Sequence, residues 1–153
     1  MKNHSLSRIR KLLDERLTPL KPVEQFTPPP RGWVKAVRQA LGMSGVQFAN
    51  RLGVKPQSVQ ALEKSEWSGT IQIETLRRAA DALDCTLVYA LVPKTSLEGT
   101  INRRAQKIAK VNLASADHTM KLEAQTSDDN DHEQQIEEYI LKYVTERDIW
   151  NKP

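Results

Sequence analysis

Cysteine is almost absent from this sequence: Cys85 stands alone among 153 residues. A single thiol excludes an intrachain disulfide framework and any zinc site built on cysteines, and it suits a reducing compartment. Aromatic residues are scarce, at 5%, which is few for an enzyme built around a deep apolar pocket. No run of about 18 apolar residues occurs, so no membrane-spanning helix is expected. The early cations Lys2, Arg8, Arg10 and Lys11 are not followed by the apolar stretch a secretory signal needs. These absences lead to the expectation of a cytoplasmic protein. The histidines His4, His118 and His132 are scattered in polar contexts, without metal-ligand spacing, and no glycine-rich phosphate loop is present. Cys85 reads as a small buried residue rather than a nucleophile. An enzyme is not expected, and neither is a catalytic residue, a cofactor or a metal.

What the chain does have is charge, unevenly spread. Residues 1–116 hold 19 Lys and Arg against 9 Asp and Glu, whereas residues 117–153 hold 4 against 10. Such polarity suits a part that meets a polyanion and a part that does not.

Three regions follow from pattern and punctuation. Residues 1–30 comprise a short helix, with Leu6, Ile9, Leu13 and Leu17 at helical spacing, then a linker rich in proline (Pro22, Pro28, Pro29, Pro30) that cannot be helix interior. Residues 31–93 carry four helical patterns. The first, 32–41, buries Val34, Val37 and Leu41. The second starts at Ser44, which forms an S-x-x-Q capping box with Gln47; Phe48 and Leu52 face the core, and Gly53 ends it. Pro56 opens the third, with Val59 and Leu62 inward. The fourth, 73–83, turns Ile73, Leu76, Ala80 and Leu83 inward. The stretch 86–92 (TLVYALV), opened by Thr86 and closed by Val92, reads as a strand. No second convincing strand exists, so its natural partner is the same strand of another copy, paired across a two-fold axis. Residues 94–153 form a helical region: a long helix over 96–123, a polar break at 125–131, and a last helix over 133–150. On that last helix Ile136, Tyr139, Ile140, Tyr143 and Val144 form an apolar seam. The seam either folds back on the long helix or docks a partner.

Reading DNA sequence needs an exposed helix face held at a fixed angle by a second helix. The run SGVQFANRLGVKPQSVQALE, residues 44–63, supplies the small contact residue Ala49, the turn residue Gly53, and the packing residues Val59 and Leu62. It resembles the Cro/repressor-type, or XRE, helix-turn-helix. The implied fold is mainly α: a helix-turn-helix bundle, one short dimer-pairing strand, then C-terminal helices. The base readers are then Gln57, Ser58, Gln60, Ala61 and Lys64 on the third helix. Gln57 leads them, because a glutamine amide can pair bidentately with adenine. Phosphate contacts fall to Gln47, Arg51 and Lys55. Where the family often places a DNA-touching glutamine, this chain has Gly45. Arg38 and Glu63 occupy the places of a structural Arg–Glu pair. Trp67 either packs under the following loop or leans on the DNA backbone.

A narrower resemblance rests on PRGWVKAVRQALGMS (30–44), GTI (69–71) and LDCTLVYALVP (83–93). These stretches are similar to the XRE subgroup called mobile mystery protein A, over roughly residues 5–115. The resemblance implies an autorepressor and antitoxin-like partner of a co-encoded Fic-domain protein. The alternative is an antitoxin acting mainly by direct neutralisation of that partner. Fic-inhibiting helices often carry Ser/Thr-x-x-x-Glu-Gly/Asn. Here Glu98-Gly99 has Lys94 where Ser or Thr belongs, and Thr119-x-x-x-Glu123 is followed by Ala124. The partners implied are double-stranded DNA, a second copy and that Fic-domain protein, with no membrane.

Overall fold

A computed structural model describes residues 4–120 and 129–151. The described residues form seven α-helices: α1 His4–Leu17, α2 Trp33–Ala40, α3 Gly45–Leu52, α4 Pro56–Trp67, α5 Ile73–Ala82, α6 Leu97–Met120 and α7 Asp129–Tyr143. Short 3-10 turns lie at Thr18–Leu20, Val23–Phe26 and Asp148–Trp150. The chain divides into two units, one of residues 21–91 and one joining residues 1–20 to 92–153. No helix is long and apolar enough to cross a membrane among the described residues.

The 21–91 unit holds α2 to α5. Its core is Val34, Phe48, Ala49, Val59, Ala79 and Leu83, with Val37, Met43, Leu52, Val54, Leu62 and Leu76 packed around it. Phe48 and Ala49 are sealed from solvent, so the bulk comes from a few side chains and the closeness from two alanines. Two residues expected inside lie outside: Leu41 and Ile73 are exposed. Leu41 is the C-cap of α2 and Ile73 the first residue of α5. Both sit at helix ends that overrun the core, and Ala79 takes the central place on α5. Cys85 is exposed rather than buried. It follows Asp84, whose φ of 55° turns the backbone into the left-handed region.

The expected strand at 86–92 is not formed; no strand occurs among the described residues. A strand needs a ladder partner for its amides, and no described segment of this chain supplies one. Val88, Tyr89 and Leu91 are left 79%, 69% and 90% exposed. The proline-rich linker holds the 3-10 turn Val23–Phe26 and ends in a turn closed by the Gly32 amide on the Pro29 carbonyl at 2.9 Å.

In the other unit α6 is the spine, and α1 and α7 both pack on it. Ala105 and Ala109 are the buried residues of α6; their small side chains let neighbours approach closely. Asp14 of α1 caps the start of α6, accepting the Leu97 amide at 2.8 Å, and the Ser96 hydroxyl accepts the Gly99 amide at 2.9 Å. These acceptors satisfy amides that a helix start leaves without partners. Arg10 donates to Glu98 at 2.6 Å and to Glu146 at 2.9 Å. Those bonds, Glu146 first, raise its pKa further above the usual guanidinium range. Most of the C-terminal seam folds back on α6: Ile136 is buried, Tyr139, Ile140 and Val144 are half-buried, and Asn112 donates to the Tyr139 hydroxyl at 3.1 Å, whereas Tyr143 stays exposed. Helix α7 stops at Tyr143, short of the expected 150. The chain then turns so that Ile149 is buried and Arg104 lies over the Trp150 ring at 5.1 Å while donating to the Ile149 carbonyl. Of the two Fic-type patterns, Glu98 is engaged by Arg10, while Glu123 and Ala124 fall outside the described residues.

Candidate nucleic-acid interface

The interface is built from α3, the turn after it, and α4. Ser44 caps α3: its hydroxyl accepts the Gln47 amide at 3.2 Å, and the Gln47 side-chain oxygen accepts the Ser44 amide at 2.8 Å. The capping box expected from the sequence is therefore formed in full. Gly53 ends the helix at φ 70° and ψ 33°, a conformation glycine adopts without a Cβ penalty. The Val54 amide reaches back to the Ala49 carbonyl at 3.0 Å, which tightens the turn. Lys55 then takes the N-cap position and Pro56 the first turn of α4, where its missing N–H costs nothing.

Helical geometry decides what α4 shows. At about 100° per residue, Val59, Leu62, Glu63 and Glu66 share one side, and Gln57, Gln60, Ala61 and Lys64 share the opposite one. Burial agrees: Val59 and Glu63 are buried and Leu62 and Glu66 half-buried, whereas Gln57, Ser58, Gln60, Ala61 and Lys64 are all exposed. Ser58 lies at the flank of the outward arc. Among the described residues the side chains of Gln57, Gln60 and Lys64 make no hydrogen bond within the chain, so their polar atoms are available to a ligand.

Both acids of α4 face inward and both are answered. Arg38 of α2 donates through Nε to Glu63 Oε1 at 2.6 Å and through a terminal nitrogen to the Met43 carbonyl at 2.9 Å. Glu63 is 6% exposed, so this is a buried charge held by its partner rather than a surface ion pair. Glu66 accepts the backbone amides of Trp33 at 2.8 Å and Val34 at 2.9 Å. It thus caps α2, where a carboxylate also suits the positive end of the helix. The outward arc of α4 consequently carries cationic and neutral polar groups and no carboxylate. Sequence reasoning missed the Glu66 cap. The cap leaves room only for a glycine before α2: Gly32 has φ 90°, and a Cβ there would meet Glu66 Oε2 at 2.5 Å.

The expected phosphate contacts are placed differently from one another. Lys55 is exposed at the head of α4. Gln47 is exposed, but its carbonyl oxygen is spent in the capping box, which leaves its amide N–H groups as donors. Arg51 donates through Nε to the Ala82 carbonyl at 2.6 Å and pairs loosely with exposed Asp84 at 3.3 Å. It ties α3 to the end of α5 while remaining half-exposed. Trp67 is 59% exposed and so does not pack under the loop that follows it. No group of His, Cys, Asp and Glu able to hold a metal occurs among the described residues.

Residues 34–89 match a family model described as helix-turn-helix, of the XRE type. The chain therefore carries a helix-turn-helix domain, the kind of domain that DNA-binding regulators use. No curated protein matches the chain, and no solved structure does.

Proposed function

We propose that this protein is a sequence-specific transcriptional regulator that reads double-stranded DNA through α4. The observation that carries the reading is the outward arc of Gln57, Gln60, Ala61 and Lys64, free of carboxylates, on a helix locked at its inner side by Arg38 and Glu63. A helix so fixed can present glutamine amides to base edges in the major groove, with Lys55, Gln47 and Arg51 placed around it for phosphates. The regulator is a homodimer joined through residues 86–92, which lie open with apolar side chains and unpaired backbone, the condition under which a strand recruits another.

The similarity to the mobile mystery protein A family extends the proposal to repression of its own operon and to a co-encoded Fic-domain partner. DNA binding is favoured over direct neutralisation as the main task, because Glu98, the glutamate a Fic-inhibiting helix would offer, is engaged by Arg10. Selection of duplexes from a random library by the intact protein, followed by binding titrations at several salt concentrations, tests the central claim. Recovery of one near-palindromic sequence, bound more tightly than random duplex, is the expected result. Failure to enrich any sequence would remove the specific-reader assignment.

A further inference from the structure

We propose that Trp67 is an additional DNA contact, its indole packing on the sugar–phosphate backbone beside the C-terminal end of α4. This deepens the DNA-binding reading and rests on it. Trp67 is the last residue of α4. It lies three residues beyond Lys64 and seven beyond Gln60, which at about 100° per residue puts it at the edge of the outward arc, roughly 20° past Gln60. Among the described residues no ring or cation stacks on it. A large indole is thus left in water in direct continuation of the reading face.

Its surroundings suit a polyanion. Lys64 supplies a cation one turn earlier. The neighbouring acid Glu66 is turned into the start of α2, where two amides hold it, so it does not stand against an approaching phosphate. The chain on the far side is already ordered. The amides of Ser68, Gly69 and Thr70 donate to the carbonyls of Lys64, Glu66 and Ser65 at 3.0, 3.0 and 2.9 Å, and the Ser68 and Thr70 hydroxyls lie 3.0 Å apart. Trp67 therefore stands between fixed backbone segments before any ligand arrives, which lowers the ordering cost of binding. The indole N–H is a donor only, matched to a phosphate oxygen, and the ring offers an apolar surface to deoxyribose. Sugar and phosphate are the same at every step, so this contact adds affinity without base preference.

The test uses the full chain with Trp33→Phe and Trp150→Phe, which leaves Trp67 as the one remaining indole of three. The probes are a duplex selected by the unsubstituted protein and a random duplex of equal length. Saturating duplex is expected to shield Trp67 fluorescence from acrylamide. In the unsubstituted background, Trp67→Ala is expected to weaken binding to both duplexes by about tenfold. The salt slope should not change, because a neutral side chain releases no counterion. Trp67→Phe should fall between the two. Trp67 as open to acrylamide in the complex as in the free protein overturns the inference, as does a folded Trp67→Ala variant that binds like the unsubstituted chain. Shielding by a co-purified protein but not by DNA would overturn it too, by giving this face to a protein partner. If no duplex binds at any salt concentration, the DNA reading itself falls and this inference with it. A bound duplex with Trp67 still open removes only this one.

Discussion

Gln57 and Lys55 sit two positions apart at the head of α4, yet removing them should have different consequences. If Gln57 reads a base as proposed, Gln57→Ala should lower binding to the selected duplex by about 1–3 kcal/mol while binding to random duplex stays nearly constant. If Lys55 holds a phosphate as proposed, Lys55→Ala should weaken both and flatten the salt slope by about one unit. Anisotropy titrations of the two variants on both duplexes check this; identical behaviour would undo the division of roles. Away from the interface, Arg38→Ala strands the buried Glu63 carboxylate and should cost about 3–5 kcal/mol of stability in urea denaturation. The outward arc of α4 was legible in the sequence because a period of 3.6 residues sorts Val59 and Leu62 from Gln57, Gln60 and Lys64. The Glu66 cap was not, because its partners Trp33 and Val34 lie 33 and 32 residues away and no local pattern encodes such a meeting. Gly32→Ala tests that cap: positive φ and the clash with Glu66 should together destabilise the protein by more than about 1 kcal/mol, seen as a lowered Tm.

Helix starts and stops were the most readable elements. Ser44 with Gln47, Gly53 and Pro56 each announce a boundary through a backbone requirement that one residue type meets best, and α3 begins and ends, and α4 begins, there. The ends of the hydrophobic stripes misled, because Leu41 and Ile73 continue the periodicity past the surface the core can cover. Residues 86–92 show a different limit. Their β-branched and aromatic composition states a preference for a strand, but a strand is a relation between two segments, and a single chain here provides one. If a second copy supplies the other, Val88→Pro removes a ladder amide and should break the pairing. Sedimentation velocity of a folded Val88→Pro variant is expected to show monomer, and an unchanged dimer would refute the assignment. The same dimer requires half-sites about 10 base pairs apart or a multiple of that.

For the molecule as a whole, charge asymmetry pointed to a division of labour. The acidic C-terminal segment belongs to a unit whose spine is α6, where Ile136 and Ile149 are buried. Each such burial contributes roughly 1.5–3 kcal/mol. Deleting residues 126–153 should therefore uncover Ala105 and Ala109 and destabilise that unit, with loss of helical signal and early melting by circular dichroism. A truncated protein that melts like the full chain would show that α7 is dispensable to the core and free for a partner.

The cap that Asp14 places on Leu97 spans 83 residues of sequence, and the entire helix-turn-helix lies inside that span. On the ribosome, the two partners therefore emerge at very different times. Residues 21–91 are complete, and can fold among themselves, before the first turn of α6 leaves the exit tunnel. Until then α1 has no spine to lie on, and Leu17, the one residue of its apolar stripe that the finished fold half-buries, waits in solvent; Leu6, Ile9 and Leu13 stay exposed even afterwards. A nascent chain with residue 91 outside the tunnel and residue 97 still inside would thus carry a complete helix-turn-helix domain trailing an N-terminal segment whose capping partner has yet to emerge.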